Sequence, residues 1–318
     1  MSLRTAILRR PIARLQTTPQ LQLQLQLQLQ QPRQAILIPK LHLRNLTYTP
    51  NNLKKMTGTQ STKRAKLEPK YELLYWPGIP GRGEYVRLAL EAAGVPYKDT
   101  TNESKDGISS LLGILGRDSV TAPDEPPVLA PPILRVLDSP LLISQTPNIL
   151  LYLGDHESLA PTDGDKYLVH QYALTALDLG NEAHNVHHPI GISLFYEDQK
   201  PESLRFAKEF RGLRIPKFFG YFDKVIKYNQ SKYPESAYLV GEKISYADTT
   251  VWQVVDGVSY AFPKKIEELR KEKEFEALFG WFDGLKGEEW LKGYLESKRR
   301  LPYALGIFRH YEELDVDQ

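Results

Sequence analysis

The sequence predicts an α/β domain followed by an all-α domain, with a leader ahead of both. Two patterns and one switch carry that prediction. A strand, a Pro/Gly loop, a helix and a second strand follow one another over 71–100, and a β-hairpin pattern follows over 133–144. From Asp165 onward only helical periodicity recurs. Strands first and helices alone thereafter point to two separately layered units.

Tyr71–Trp76 is a short apolar run of the kind a strand covered on both faces carries. Pro77–Gly81 forces a loop. Glu84–Ala93 places Val86, Leu88, Ala89, Leu90 and Ala93 at helix-like spacing, with Gly94 at the C′ position and Pro96 just beyond. A strand near Pro96–Thr100 completes a βαβ unit. Within the polar segment 101–127, Ile108–Leu115 predicts a short helix. Ile133–Leu137 and Leu141–Ser144, joined by Asp138-Ser139-Pro140, read as a hairpin. The next helix runs to about Leu153 and closes at Gly154, with Thr146 as its cap and Pro147 at its first helical position. After a linker at 157–164, helices are predicted over Asp165–Val186, Pro201–Gln230, Tyr246–Tyr260, Lys264–Phe279 and Glu288–Ser297. The expected units are a disordered basic leader at 1–67, an α/β domain at 70–158 and an all-helical domain at 164–312.

Composition narrows the chemistry. The chain has 318 residues and a formal charge of +2, which conceals two regions. Residues 1–67 hold twelve Lys or Arg and no acid, leaving 29 basic against 39 acidic residues in 68–318. A body of that sign gives no electrostatic case for nucleic acid. No apolar run is long enough to span a bilayer, so no membrane is expected. Cysteine is absent, which excludes disulfides, thiolate metal sites and a protein-borne thiol nucleophile. Any sulfur chemistry must use a thiol brought by a ligand. In the leader, Arg4, Arg9, Arg10 and Arg14 among apolar residues resemble a mitochondrial presequence, and Leu21–Gln30 is a Leu-Gln repeat of low complexity. Met56, the one methionine besides Met1, marks a second possible start. A cytoplasmic protein is expected, or a mitochondrial one if the leader is translated.

The residues that carry chemistry sit at element ends. Tyr75 falls where the first strand gives way to a helix, beside unpaired N–H groups and a partial positive charge that favour an anion. A tyrosine hydroxyl there can donate to a thiolate and lower the pKa of the thiol, which in free form is about 8.5. Thr146 opens a second helix terminus able to take a carboxylate, with Gln145 alongside. Ser245 and Asp248 form a Ser-x-x-Asp capping box. His184, His187 and His188 have the i, i+3, i+4 spacing of a helical metal site. Pro189 marks a helix end instead, where histidine complements the dipole, and the reading is no metal.

Together these segments resemble the tyrosine-type, sigma- and alpha-like cytosolic glutathione transferases, as a divergent, fungal-like member. The resemblance covers about 71–312. It lies in Tyr75-Trp76-Pro77-Gly78, Gly81-Arg82-Gly83-Glu84, Arg87-Leu88 and Ala92-Ala93-Gly94-Val95-Pro96-Tyr97. It continues through Pro131-Pro132-Ile133-Leu134, Gln145-Thr146 … Ile149 … Tyr152-Leu153 and Ile244-Ser245-Tyr246-Ala247-Asp248. It implies a thioredoxin-like domain and an all-helical domain in a homodimer, with glutathione as co-substrate and a hydrophobic electrophile in a detoxification reaction. It makes Tyr75 the thiol activator and Pro132 the cis-proline. Pro131, Gln145 and Thr146 would bind glutathione, and Asp178 would reach the γ-glutamyl amine across the dimer. Ser245 and Asp248 would be structural, and the three histidines would border the electrophile pocket. Lys105 and Arg117 are candidates for the glycyl carboxylate. Two departures stand out: one extra residue between Tyr75 and Glu84, and Pro131, which lacks the N–H normally offered to the ligand. They keep open a non-catalytic binding or assembly module, and a glutathione-dependent isomerase or peroxidase is the further alternative.

Overall fold

The computed structural model describes residues 68–116 and 126–316; the leader with Met56, and Arg117, lie outside the described residues. The first part contains β1 (Tyr71–Leu74), α1 (Gly83–Ala92), β2 (Tyr97–Asp99), α2 (Thr100–Glu103), α3 (Gly107–Leu115), β3 (Ile133–Val136), β4 (Leu142–Ser144) and α4 (Thr146–His156). The strands form one sheet in the order β2-β1-β3-β4, with β1 parallel to β2 and both other pairings antiparallel. Register fixes the faces. Leu73 pairs with Leu134, and Leu134 with Ile143, and all three enter the main core with Val86 and Leu90 of α1. Leu74 and Ile133 turn to the other face and meet Leu111 and Ile114 of α3. All four residues of β1 are buried because both faces are covered; Glu72, the one charged residue among them, accepts from the Thr100 hydroxyl at 2.6 Å.

The second part is helical: α5 (Lys166–Val186), α6 (Lys200–Glu209), α7 (Ile215–Lys232), α8 (Tyr246–Ala261), α9 (Pro263–Leu269), α10 (Glu276–Lys286) and α11 (Glu289–Leu295), with short 3-10 turns at Tyr196–Gln199, Lys273–Phe275 and Glu312–Leu314. This is a thioredoxin-like unit followed by a helical unit. Helix α8 is the axis, packed on α5 and on α1, with Trp252 in the core stacked on Phe282. Its start carries the predicted box: Asp248 Oδ2 accepts from the Ser245 N–H at 2.8 Å, and Oδ1 accepts from the Leu239 N–H at 2.7 Å.

Two predicted helices are subdivided. The 201–230 pattern is broken by a π-helical stretch at Phe210–Arg214. Pro216 lies two residues beyond it; it has no N–H and its ring crowds the carbonyl four residues back, and the wider π turn accommodates both. The 264–279 pattern ends at Leu269 and restarts at Glu276. At α9 the cap comes from far along the chain: Asp315 Oδ2 accepts from the Lys264 N–H at 2.7 Å.

Helix α1 joins the two parts. Eight successive residues from Gly83 to Leu90 are buried, because the sheet and α4 lie on one side and α8 and α11 on the other. Glu84, fully buried, accepts from the Tyr294 hydroxyl and from Arg300, each at 2.6 Å, and from Arg87 at 3.2 Å. Arg87 also reaches Asp99 Oδ2 at 2.7 Å, and Arg300 reaches Asp256 at 2.8 Å.

Candidate active site

Tyr75 follows β1 directly and is 5 % exposed. Its ring lies against two glycines. A Cβ on Gly81 would stand 2.3 Å from the hydroxyl oxygen, and one on Gly83 would stand 2.7 Å from the ring. Gly81 also has φ +44°, which a side chain would strain. Glycine at both places lets the backbone at the start of α1 approach the phenol. The Tyr75 hydroxyl accepts from the Arg82 N–H at 2.8 Å, so its own proton remains free to donate. Burial pushes the phenol pKa up, opposed in part by the Arg82 N–H and the charges of Arg82 and Arg87. The group is therefore a protonated donor at neutral pH. The extra loop residue leaves this contact in place, with the Gly78 N–H donating to Asn102 at 2.9 Å.

The Pro131–Pro132 bond is cis and both prolines are buried at the head of β3, hydrogen-bonded to β4. Where β4 runs into α4, Gln145 is exposed with φ +72° and ψ +118°, a conformation side chains rarely adopt. Thr146 is 4 % exposed, and its hydroxyl is buried without a partner. The predicted Thr146 cap is not formed: the helix already includes Thr146, Gln145 takes the cap position, and no side chain bonds the terminus. The amides of that terminus and the Thr146 hydroxyl are left for something other than a local cap.

Asp178 is exposed on α5, and Lys105 is exposed between α2 and α3. One helical turn beyond Asp178, Asn181 accepts from Arg82 Nη2 at 2.8 Å, tying α5 to the loop that holds Tyr75. His184, His187 and His188 end the same helix with ring centroids 4.8 to 5.0 Å apart. Among the described residues no group of three or more His, Cys, Asp or Glu is arranged to hold a metal ion. Burial, with the charges of Arg82, His188 and Arg309, lowers the His184 pKa to about 4. Burial and Arg309 lower that of His187 to about 2.

Two contributors escaped the sequence reading. The backbone of Arg82 was legible only as part of a Gly-Arg turn; the Gly81-Arg82-Gly83 spacing was the available signal. The contacts of the tail beyond α11 carry no spacing signal in the sequence. Gly306 packs on Gly81, Phe308 fills the hollow over Gly257, and Ile307 accepts from His187 Nε2 at 3.0 Å.

Comparison with known proteins agrees with this arrangement. The family model for "Glutathione S-transferase, C-terminal domain" matches residues 184–298. The glutathione S-transferase of Plasmodium falciparum is 23% identical over 232 residues, 73% of this chain and 98% of that protein. Glutathione S-transferase A4 of Homo sapiens is 27% identical over 192 residues, 60% of this chain and 75% of that protein. The solved Pi-class glutathione S-transferase of Onchocerca volvulus superposes with a TM-score of 0.53 at 20% identity, over 71% of this chain and 92% of its own. With the sheet order, the cis-proline, the capping box and the tyrosine beside the start of α1, these likenesses support a member of the cytosolic glutathione transferase family.

Proposed function

We propose that this chain conjugates the glutathione thiolate to hydrophobic electrophilic small molecules, with Tyr75 as thiol activator. The observation that carries this is the Tyr75 hydroxyl, whose lone pair is taken by the Arg82 N–H and whose proton is free. A buried neutral phenol at a helix N-terminus stabilises a thiolate by donating to it, in a site of low polarity where such a bond counts for more than in water. Glutathione's cysteinyl unit then lies along Pro131. Its γ-glutamyl carboxylate lies at the start of α4, against the amides, the Gln145 side chain and the unpartnered Thr146 hydroxyl. In a homodimer, Asp178 of α5 reaches the γ-glutamyl amine bound by the other subunit. The electrophile enters between Tyr75 and the end of α5. No metal is required.

Replacing Tyr75 by Phe tests the reading. The pKa of bound glutathione, followed by thiolate absorbance, should rise by one to two units, about 1.4–2.7 kcal/mol of lost stabilisation. Turnover with an electrophilic aromatic halide should fall with it. Unchanged values in the variant would sink the assignment.

A second reading, a binding module without turnover, is favoured by one observation: Pro131 is buried at the cis bond and has no N–H. Glutathione loses one of two backbone bonds there, about 0.5–1.5 kcal/mol, a weakening of roughly two- to twelvefold. Binding of glutathione with no turnover of any electrophile would favour it over conjugation.

A further inference from the structure

The Tyr75 hydroxyl is met by a peptide with few means of holding its own orientation. Arg82, whose N–H donates to that hydroxyl at 2.8 Å, stands between Gly81 and Gly83. Both glycines must be bare for the backbone to approach the phenol, and Gly81 has φ +44°. Glycine on both sides leaves the residue between them free to turn. The turn is closed at Pro80, whose carbonyl accepts from Arg87 Nη1 at 3.2 Å and from the Glu84 N–H at 3.0 Å. Upstream, the Gly78 N–H is fixed on Asn102 at 2.9 Å. Behind Gly81 lies Gly306, again without a side chain. Between Gly81 and Gly83 the only side chain that can be gripped is that of Arg82.

Asn181 of α5 grips it. Arg82 Nη2 donates to Asn181 Oδ1 at 2.8 Å, and because a guanidinium only donates, the amide turns its oxygen toward it. The base under Asn181 is firm. It lies within a helix of 21 residues, and at the preceding position Gly180 admits the buried Tyr85 of α1 against that helix. A Cβ on Gly180 would stand 2.8 Å from the Tyr85 hydroxyl oxygen, so α5 and α1 touch one residue away from Asn181. The neighbouring acids do not take over the contact. Glu182 holds Arg214 with both oxygens, at 2.6 and 2.8 Å, and Asp178 is exposed one turn earlier. Asn181 is itself exposed, so water competes for its bond. The bond therefore biases an orientation more than it stabilises the fold.

We propose that Asn181 is a positioning residue for thiol activation: by holding the Arg82 side chain it aims the Arg82 N–H at Tyr75, and so sets where the phenol proton points. Two hydrogen bonds of 2.8 Å make up the whole relay, from α5 of the helical unit to the tyrosine that follows β1. A hydroxyl that accepts from one side donates to the other, so tilting the N–H swings the proton away from the thiol. Asn181 acts through Arg82 and needs no contact with glutathione. The inference rests on the conjugation reading for the use made of the phenol proton, whereas the placement of the phenol is measured apart from it.

The test uses the full chain, isotope-labelled at the tyrosine Cζ, with the Tyr75 NMR signal identified by its loss in Tyr75→Phe. Without glutathione, Asn181→Ala should shift or broaden that signal, and Asn181→Asp, which keeps an oxygen acceptor, should return it toward the parent position. With glutathione bound, Asn181→Ala should raise the thiol pKa, followed by thiolate absorbance, by about 0.3–0.7 unit. Turnover of an electrophilic aromatic halide should fall about two- to fivefold in kcat, with KM for glutathione within about twofold of the parent. In the Tyr75→Phe background the same substitution should move the thiol pKa no further, because the relay ends on the missing hydroxyl. A Tyr75 signal unmoved by Asn181→Ala, or a pKa shift that persists in the Phe background, overturns the proposal. If Tyr75→Phe itself leaves the thiol pKa unchanged, the conjugation reading fails and the NMR signal still decides the role of Asn181.

Discussion

Gln145 and Thr146 show a conflict resolved against local comfort. A non-glycine residue at φ +72° and ψ +118° stores about 1–3 kcal/mol, and a buried hydroxyl with no partner costs about as much again. Both become intelligible if the start of α4 is shaped for a carboxylate. The expected result for Gln145→Gly is stability kept within about 1 kcal/mol of the parent, since relief of strain offsets the greater freedom of the unfolded chain. Glutathione affinity should nevertheless drop. Thr146→Val should leave the melting temperature equal or higher while weakening glutathione about three- to tenfold, the share of one hydrogen bond. Denaturant unfolding paired with calorimetry checks both variants; stability and affinity falling together would assign these residues to the fold rather than to a ligand. The Pro-Pro pair was readable in sequence, and so was the helix start after it. The missing cap was not, because Thr-Pro after a strand signals a cap whether or not the hydroxyl turns to the helix.

Among the elements, α8 was the most legible and depends most on one side chain. Asp248 is fully buried and serves two backbone donors from different segments, Ser245 and Leu239, so it closes the box and pins the preceding loop at once. Asp248→Ala leaves both amides dry at ~1–3 kcal/mol each, and a loss of roughly 2–5 kcal/mol is expected in urea titrations. A loss under about 1 kcal/mol would mean that water reaches the loop. The box was visible because its residues are three apart. Helix periodicity likewise revealed α1, α5 and α8. It did not reveal the π turn at Phe210–Arg214, because one extra residue per turn leaves the apolar spacing nearly unchanged over so short a stretch. Nor did it reveal the stop at Leu269, where apolar residues recur on both sides of the break and the cap comes from Asp315.

At the scale of the molecule, contacts far apart in sequence hold the site, and these were the least readable. Glu84 meets Arg300 across 216 residues, and His187 meets Ile307 across 120. No spacing rule announces either pair. The second has a measurable consequence. His187 is buried neutral, with its pKa lowered to about 2 by desolvation and by Arg309, against 6.5 when unfolded. A histidine with a depressed folded pKa binds its proton first in the unfolded chain. Its stabilising effect is therefore complete above pH 6.5 and is lost as pH falls from there toward 2. Below 6.5 the slope approaches ~1.4 kcal/mol per pH unit for one proton. His184, lowered to about 4, adds to the same slope over its narrower window. Carboxylates shared by all variants also titrate on the acid side, so the informative quantity is a difference. His187→Gln cannot take the proton, and its amide keeps a donor for Ile307. Its stability should fall less steeply than that of the parent between neutral pH and pH 4, the two curves converging by about 1–3 kcal/mol. Parallel curves would mean that His187 is solvated in the folded protein and that the tail does not seal the end of α5.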